Sequence, residues 1–530
     1  MNRLVAESTS RAIDQPKEAH MPSSRTRISS SRHGVITAVV CLALAAVVAA
    51  MASLNVALPD IARDTHATQT QLVWIIDAYS LAFAALLLPA GAIGDRYGRR
   101  VALLAGLAFF GGGSAVAMTA SSGGELIALR AVIGVGAALV MPATLSTITS
   151  TFPPAQRTRA VSIWAAVAGG AAILGLLVSG ALLTELSWRS IFGLNVLLSA
   201  LAAAGTLRYV PESADPDAPR LDVGGAAIAV IGLVALVYSV IEAPEHGWLA
   251  TRTVVGLALA AVLLVGFVVW ELHQAHPLLD PRVFRKRPLA AGSMSISIQF
   301  FAFYGYTFII LQYLQLVRGD TPLLASVQVL PLAATMMPAS RLSPWLTARF
   351  GARSVCATGL LAVAGALLVL SRLGTGSSYW LMAAGLVLLG VGMGCAMTPA
   401  TSAITEGLPA AQQGVGSALN DLSREVGGAI GIAVIGSILT ATYSSHVNLA
   451  GLSGRVAGEV KASYAAASHL SAPIAERAHS AFVTGMHVAL LSAAGAALFA
   501  AVGVVLLLAR QDSSPARRAW AAASRAALRS

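Results

Sequence analysis

Charge is scarce in this chain: of 530 residues only 11% are charged, while 56% are hydrophobic and the mean hydropathy is +0.74. A water-soluble protein of this length has no way to hide so much apolar surface, so lipid is the solvent for most of it. Cysteine is scarcer still. Cys41, Cys356 and Cys395 stand in apolar runs at unrelated spacing, which argues against a disulfide framework or a thiolate metal site. Nucleotide-binding loops, catalytic triads and metal-ligand spacings are missing, so ATP-driven transport and enzymology lack support and no cofactor is expected. Lysine is almost entirely replaced by arginine.

What the chain has in abundance is long apolar runs. Each is long enough to cross a bilayer as a helix, and 14 can be read. The first six are Val35–Leu58, Trp74–Ile93, Val101–Ala120, Leu126–Thr149, Ala160–Leu183 and Ile191–Tyr209. Two more, Val223–Ile241 and Thr253–Trp270, are flanked by polar linkers. The last six are Leu289–Leu316, Pro322–Thr347, Ser354–Leu370, Trp380–Ile404, Val415–Thr442 and Ala481–Leu508. The pattern predicts an all-α integral membrane protein. Its parts are a six-helix bundle over 35–210, two inserted spans within 211–288 and a second six-helix bundle over 289–508. Residues 1–34 and 509–530 read as polar, basic tails, the first of them disordered.

The net charge of +11 might point to nucleic acid, but its distribution does not. Most of the 35 Lys+Arg fall in segments on one side of the 14-span scheme, and Arg130 and Arg424 are read as lying inside spans. Basic residues retained on one side mark the cytoplasm, which puts both termini there and makes anionic lipid the partner of the basic loops. The loop over 443–480, rich in Ala, Ser and His, falls outside; His446, His469 and His479 show no ligand spacing, and a solvated loop is expected.

The turn GAIGDRYGRR, Gly91 to Arg100, sits between the second and third spans. Asp95, Arg96, Arg99 and Arg100 cannot lie in hydrocarbon, so the turn marks a membrane surface. Gly91 and Gly94 are expected to let the helix ends approach, and Gly98 to adopt a backbone angle that other residues resist. This string resembles the signature loop G-x-L-x-D-R-x-G-R-[KR] of the major facilitator superfamily. A fainter copy, PWLTARFGAR at Pro344–Arg353, follows span 10 with Ala348 in the place of Asp95. Further matches extend the likeness to the superfamily's 14-span drug:proton antiporters: LVWIIDAYSL around Asp77, MASLNVALPDI with Asn55, LRAVIGVGAA with Arg130, and SWRSIFGLNV.

An ionisable group within a span is costly, about 2.5–3.5 kcal/mol on insertion scales, and so calls for a functional explanation. The resemblance implies proton coupling at Arg130. Since arginine does not deprotonate in practice, it acts by holding or repelling a titrating carboxyl, for which Asp77 is the candidate. Asn420 and Asp421 occupy the slots that an acidic pair tied to cation recognition holds in relatives. Glu425 shares a helix face with Asp421, and Arg424 stands beside them; a cluster that merely satisfies itself is the alternative. QFFAFYGYTF at Gln299–Phe308, with Tyr304 and then Gln312, offers aromatic faces to a flat or cationic drug, or simply packs the core.

Two departures stand against the likeness. Ala50 holds the slot of the antiporters' span-1 aspartate. In span 5 their G-P-x-x-G-G string keeps Gly175 and Gly180 but has Leu176 for proline and Ser179 for glycine. The expectation is a monomeric exporter of amphipathic or cationic drugs in a bacterial plasma membrane, driven by protons through alternating access. A proton-coupled importer or uniporter, or a non-transporting receptor or scaffold on the same fold, stays open.

Overall fold

The computed structural model describes residues 30–214, 221–275, 277–406, 413–468 and 470–508. The expectations for 1–29 and 509–530, for 215–220 of the first polar linker and for His469 fall outside the described residues; residues 30–34, read as part of the first tail, are the start of α1.

The first half comprises α1 (Ser30–Thr65), α2 (Gln69–Tyr97), α3 (Arg99–Ala117), α4 (Gly123–Thr151), α5 (Pro154–Glu185) and α6 (Arg189–Tyr209). The inserted pair is α7 (Val223–His246) and α8 (Thr251–His273). The second half holds α9 (Arg287–Gln312), α10 (Pro322–Gln328), α11 (Leu330–Phe350), α12 (Ala352–Leu370), α13 (Tyr379–Glu406) and α14 (Gln413–His446). It ends with α15 (Gly454–Ala462), α16 (Tyr464–Ser468) and α17 (Ala472–Leu508). Among the described residues, fourteen helical stretches are long and apolar enough to span a membrane, one for each run in the sequence.

Local chemistry starts and stops these helices. Thr68 and Gln71 form a reciprocal capping box at the start of α2, and Ser122 and Asp222 cap α4 and α7 through their side chains. Span 10 is interrupted, contrary to its reading as one run. Pro331, at the start of α11, has no N–H to continue the ladder from α10. Span 9 ends in a π-helical turn at Tyr313–Val317.

Within the first half, α2 packs on α4, α1 on α5 and α6, and α3 on α4 and α6; within the second, α9 packs on α13, α14 and α17, and α12 on α13 and α17. The two bundles meet where α2 lies against α14, α5 against α10, and α1 against α9. The inserted α7 docks on both α2 and α14, covering that seam, and α8 lies outside it against α7. Trp74 Nε1 donates to Glu242 of α7 (2.8 Å) and Ser437 of α14 donates to the Val240 carbonyl (2.7 Å), so α7 is tied to both halves.

The bundle has a turn face, bearing Gly91–Arg100, and an opposite face. The segment after α14, expected to be a solvated loop, is a folded cap on the opposite face. Tyr464 is fully buried and stacks on Phe482 at 4.2 Å, and Tyr443 donates to the Val460 carbonyl (2.7 Å). Val460 of α15 and Tyr464, Ala465 and Ala467 of α16 are buried within this cap. α16 touches both α1 and α17, so the cap reaches across the two bundles.

Candidate functional site

The charged turn is built around Gly98. Its φ is +120°, and a Cβ there would lie 2.6 Å from Glu212 Oε1. The second copy makes its elbow with Gly351 at φ +83°, so the internal repeat is backbone-deep even though Ala348 has replaced the acid. Gly91 and Gly94 differ from expectation: a Cβ at either would make only ordinary contact, 3.7 Å to Pro142 and 3.4 Å to Ala102. Asp95 Oδ1 accepts from Arg99 Nε and Nη2, both at 2.9 Å. Arg100 donates to the Leu207 carbonyl and, through its backbone N–H, to Glu212. Those contacts of Asp95, Arg99 and Arg100 lie within the first half and the start of the linker that follows it. Arg96 lies beside Asp95, its guanidinium 5.9 Å from the Tyr97 ring centroid.

Arg130 is fully buried. Its Nε donates to the Ile75 carbonyl (2.9 Å) and its guanidinium lies 4.3 Å from the Tyr79 ring centroid. Gly134 makes this approach possible, since a Cβ there would sit 2.5 Å from the Tyr79 carbonyl oxygen; Gly136 does the same for α3, where a Cβ would lie 2.5 Å from the Phe110 nitrogen. Tyr79 donates in turn to the Val47 carbonyl of α1 (3.0 Å).

Asp77 and Arg130 are not paired. Ile75 and Tyr79 are four residues apart and share the face of α2 toward α4, while Asp77 falls midway and points the other way. It shares the face of Val73, whose methyls pack beside Gly436 of α14. Asp77 is fully buried, and neither carboxyl oxygen has a hydrogen-bond partner among the described residues. A carboxyl without a partner therefore sits on the α2 face that meets the other bundle.

On α14, Arg424 joins the two acids. It lies 3.1 Å from Glu425 Oε1 and 3.8 Å from Asp421 Oδ1. Glu425 is fully buried and its second oxygen has no partner. Asn420 accepts from Thr401 (3.0 Å). The aromatic run of α9 flanks this cluster: Phe300, Phe303 and Tyr304 lie 5.5–6.2 Å apart by centroids, and Arg424 is 5.6 Å from the Phe300 ring. Tyr304 and Tyr79 both lie within electrostatic reach of Glu425. The structure thus gathers Tyr304, Asp421 and Glu425 opposite the Tyr79–Arg130 stack.

Asn55, in the span-1 string and proposed as a substrate contact, and Gln312 of α9 are engaged elsewhere. Asn55 bonds back to the Met51 and Ala52 carbonyls of its own helix. Gln312 is buried at the opposite face and accepts from Gln69 of α2 (3.1 Å) while donating to the Phe308 carbonyl. Gln315 donates to the Val56 carbonyl of α1 (2.8 Å), and a Cβ on Gly180 of α5 would lie 2.6 Å from Ser326 Oγ of α10. Gln69 and Gln315 were not singled out from sequence, since partners more than 200 residues apart leave no local signal. Arg341 did leave one. It lies well inside α11, exposed, as a further arginine within a span besides Arg130 and Arg424.

Fourteen spans around buried charges and close-packed glycines define a multi-pass membrane transporter rather than an enzyme. The family model of the Major Facilitator Superfamily matches residues 40–432. The chain belongs to that superfamily. It is 37% identical to a multidrug resistance protein, Stp, of Mycobacterium tuberculosis over 74% of this chain and 73% of that protein. It is 31% identical to the tetracenomycin C resistance and export protein of Streptomyces glaucescens, over 92% and 94% of the two chains. Both likenesses agree with the drug-exporter resemblance in the sequence, and the protein is a multi-pass plasma-membrane protein. The fold matches the crystal structure of a bacterial homolog of the human lysosomal transporter Spinster in an inward-facing, unoccupied conformation (TM-score 0.63, 17% identity, 90% and 97% covered).

Proposed function

We propose that this protein exports amphipathic or cationic drugs in exchange for protons, with the turn face and both termini cytoplasmic. The carrying observation is Asp77: fully buried, without a partner, on the face of α2 that meets α14. A carboxyl at a seam between two rocking bundles changes its solvation with every cycle, which is the requirement for taking up a proton on one side and releasing it on the other. The relatives named for drug resistance and export support the cargo class, and the aromatic and acidic cluster of α9 and α14 supports its cationic character.

The inter-bundle hydrogen bonds Gln69–Gln312 and Gln315–Val56, with the tight Gly180–Ser326 approach, all lie toward the opposite face. We read this as a state closed to the outside and open to the cytoplasm. The basic loops face anionic lipid, and one chain suffices for the cycle. In everted vesicles, adding drug to wild-type protein is expected to release protons from the lumen, and Asp77→Asn to abolish this while drug binding persists. Proton release undiminished in Asp77→Asn would move the coupling site elsewhere. Because Leu176 and Ala50 depart from the antiporter strings, the sign of proton movement in the same vesicles also tests the importer reading.

A further inference from the structure

On the opposite face, α2, α4 and α7 enclose an open cavity of about 490 Å³, within the size range of drug-sized pockets. Its walls carry an aromatic pair and two carboxylates. Trp74 and Tyr238 lie 5.8 Å apart by ring centroids and are tilted by 46°, forming a wedge. Glu242 and Glu245 complete the lining, with Thr70 and Gln71 beside them, and none of the lining residues is basic. Glu242 Oε1 accepts from the Trp74 indole, which fixes the ring, while Oε2 lies 3.6 Å from His246 Nδ1. Tyr238, Glu242 and Glu245 follow one another at i, i+4 and i+7 and so share a single face of α7.

We propose that this cavity is a second binding site for organic cations, separate from the buried charges between the bundles, and that the inserted helix α7 supplies its selectivity. An aromatic wedge beside two carboxylates attracts a delocalised cation through ring faces and charge together, and offers an anion nothing. Trp74 lies three residues before Asp77, about 4.5 Å along the helix axis. The cavity is therefore an antechamber at the end of the seam; in the orientation proposed above it lies on the release side. Binding here does not depend on transport or on proton coupling, so the two proposals fail separately.

The probe is tetraphenylphosphonium, titrated calorimetrically into the purified full-length protein in lipid nanodiscs. Wild-type protein is expected to show a binding component that tetraphenylborate, equal in shape and opposite in charge, does not displace. Glu242→Gln with Glu245→Gln is expected to weaken that component at least tenfold. Glu245→Lys, at an exposed position, weakens it without disturbing the indole contact. Asp77→Asn and Glu425→Gln leave it in place. Unchanged affinity in both the double carboxamide variant and Glu245→Lys, displacement by tetraphenylborate, or loss of the component in Asp77→Asn would each overturn the proposal.

Discussion

Arg424→Gln isolates what the α14 cluster does. Glu425 is fully buried, and Arg424 is the partner its Oε1 has, at 3.1 Å; its Oε2 already has none. Removing the guanidinium orphans the whole carboxylate. Breaking a buried pair in this way costs about 3–5 kcal/mol, and the low end applies here because the Arg424 side chain keeps 23% of its exposure. Removing both members of the close pair, Arg424→Gln with Glu425→Gln, leaves neutral amides of similar shape. Asp421 still loses its cation, but at 3.8 Å and with 19% of its side chain exposed it loses less, and much of the loss should return. The assay is thermal unfolding of the two variants and wild type in nanodiscs, followed by size-exclusion chromatography. The single variant is expected to melt several degrees below wild type and the double variant close to it. The loss should also shrink at low pH, where a carboxyl that takes up a proton no longer needs the cation. Equal stability of single variant and wild type would refute the argument that Arg424 holds Glu425. Transport then separates the two readings of the cluster: a stable double variant that pumps normally has lost only a structural pair, and a stable one that cannot pump has lost part of the drug path.

Cysteine-accessibility labelling on a cysteine-free background should reach positions 443–480 from outside and 94–100 from inside; labelling both from one side would break the 14-span orientation. Gly98→Ala meets both a positive φ and the Glu212 carboxylate, so it should lose about 1–3 kcal/mol of stability, whereas Gly91→Ala, with room for its Cβ, should leave melting unchanged. Gln69→Cys with Gln312→Cys, joined by a short thiol cross-linker, should hold the opposite face shut and stop transport, with recovery when a cleavable linker is cut. Transport that continues through an intact cross-link would show that these ends do not separate.

The fold was readable because lipid imposes it: apolar runs of span length and a one-sided arginine distribution leave few other architectures. The charged turn was readable for a similar reason, since charge cannot stay in hydrocarbon. Contacts between distant helices were not. Gln312 looked like a drug ligand because its partner, Gln69, lies 243 residues away. The cap over 443–480 was hidden by composition, because Val460, Tyr464 and Ala467 are too few to register as an apolar run. Other misses left a signal. Arg341 lies plainly inside a run, and the spacing of Ile75, Asp77 and Tyr79 already sets the aspartate on the far side of α2 from anything that grips the other two.

That last spacing assigns different duties to the two charges of the first bundle. Arg130 is held by Ile75 and Tyr79, on helices of its own half. If the halves rock as rigid bodies, those two contacts persist through the cycle. Asp77 faces the other half, where α2 meets α14, so the same rocking must change what surrounds it. A proton-coupling group has to sense the conformational change; Asp77 does so through its own surroundings, and Arg130 only through the Tyr79 ring it stacks on, which lies within electrostatic reach of Glu425 of the other half. In the proposed cycle Arg130 then acts as the pin that fixes α2 against α4, where Gly134 admits the Tyr79 backbone. In that division of labour, Arg130→Lys disturbs the positioning of α2, while Asp77→Asn removes the exchanged proton itself.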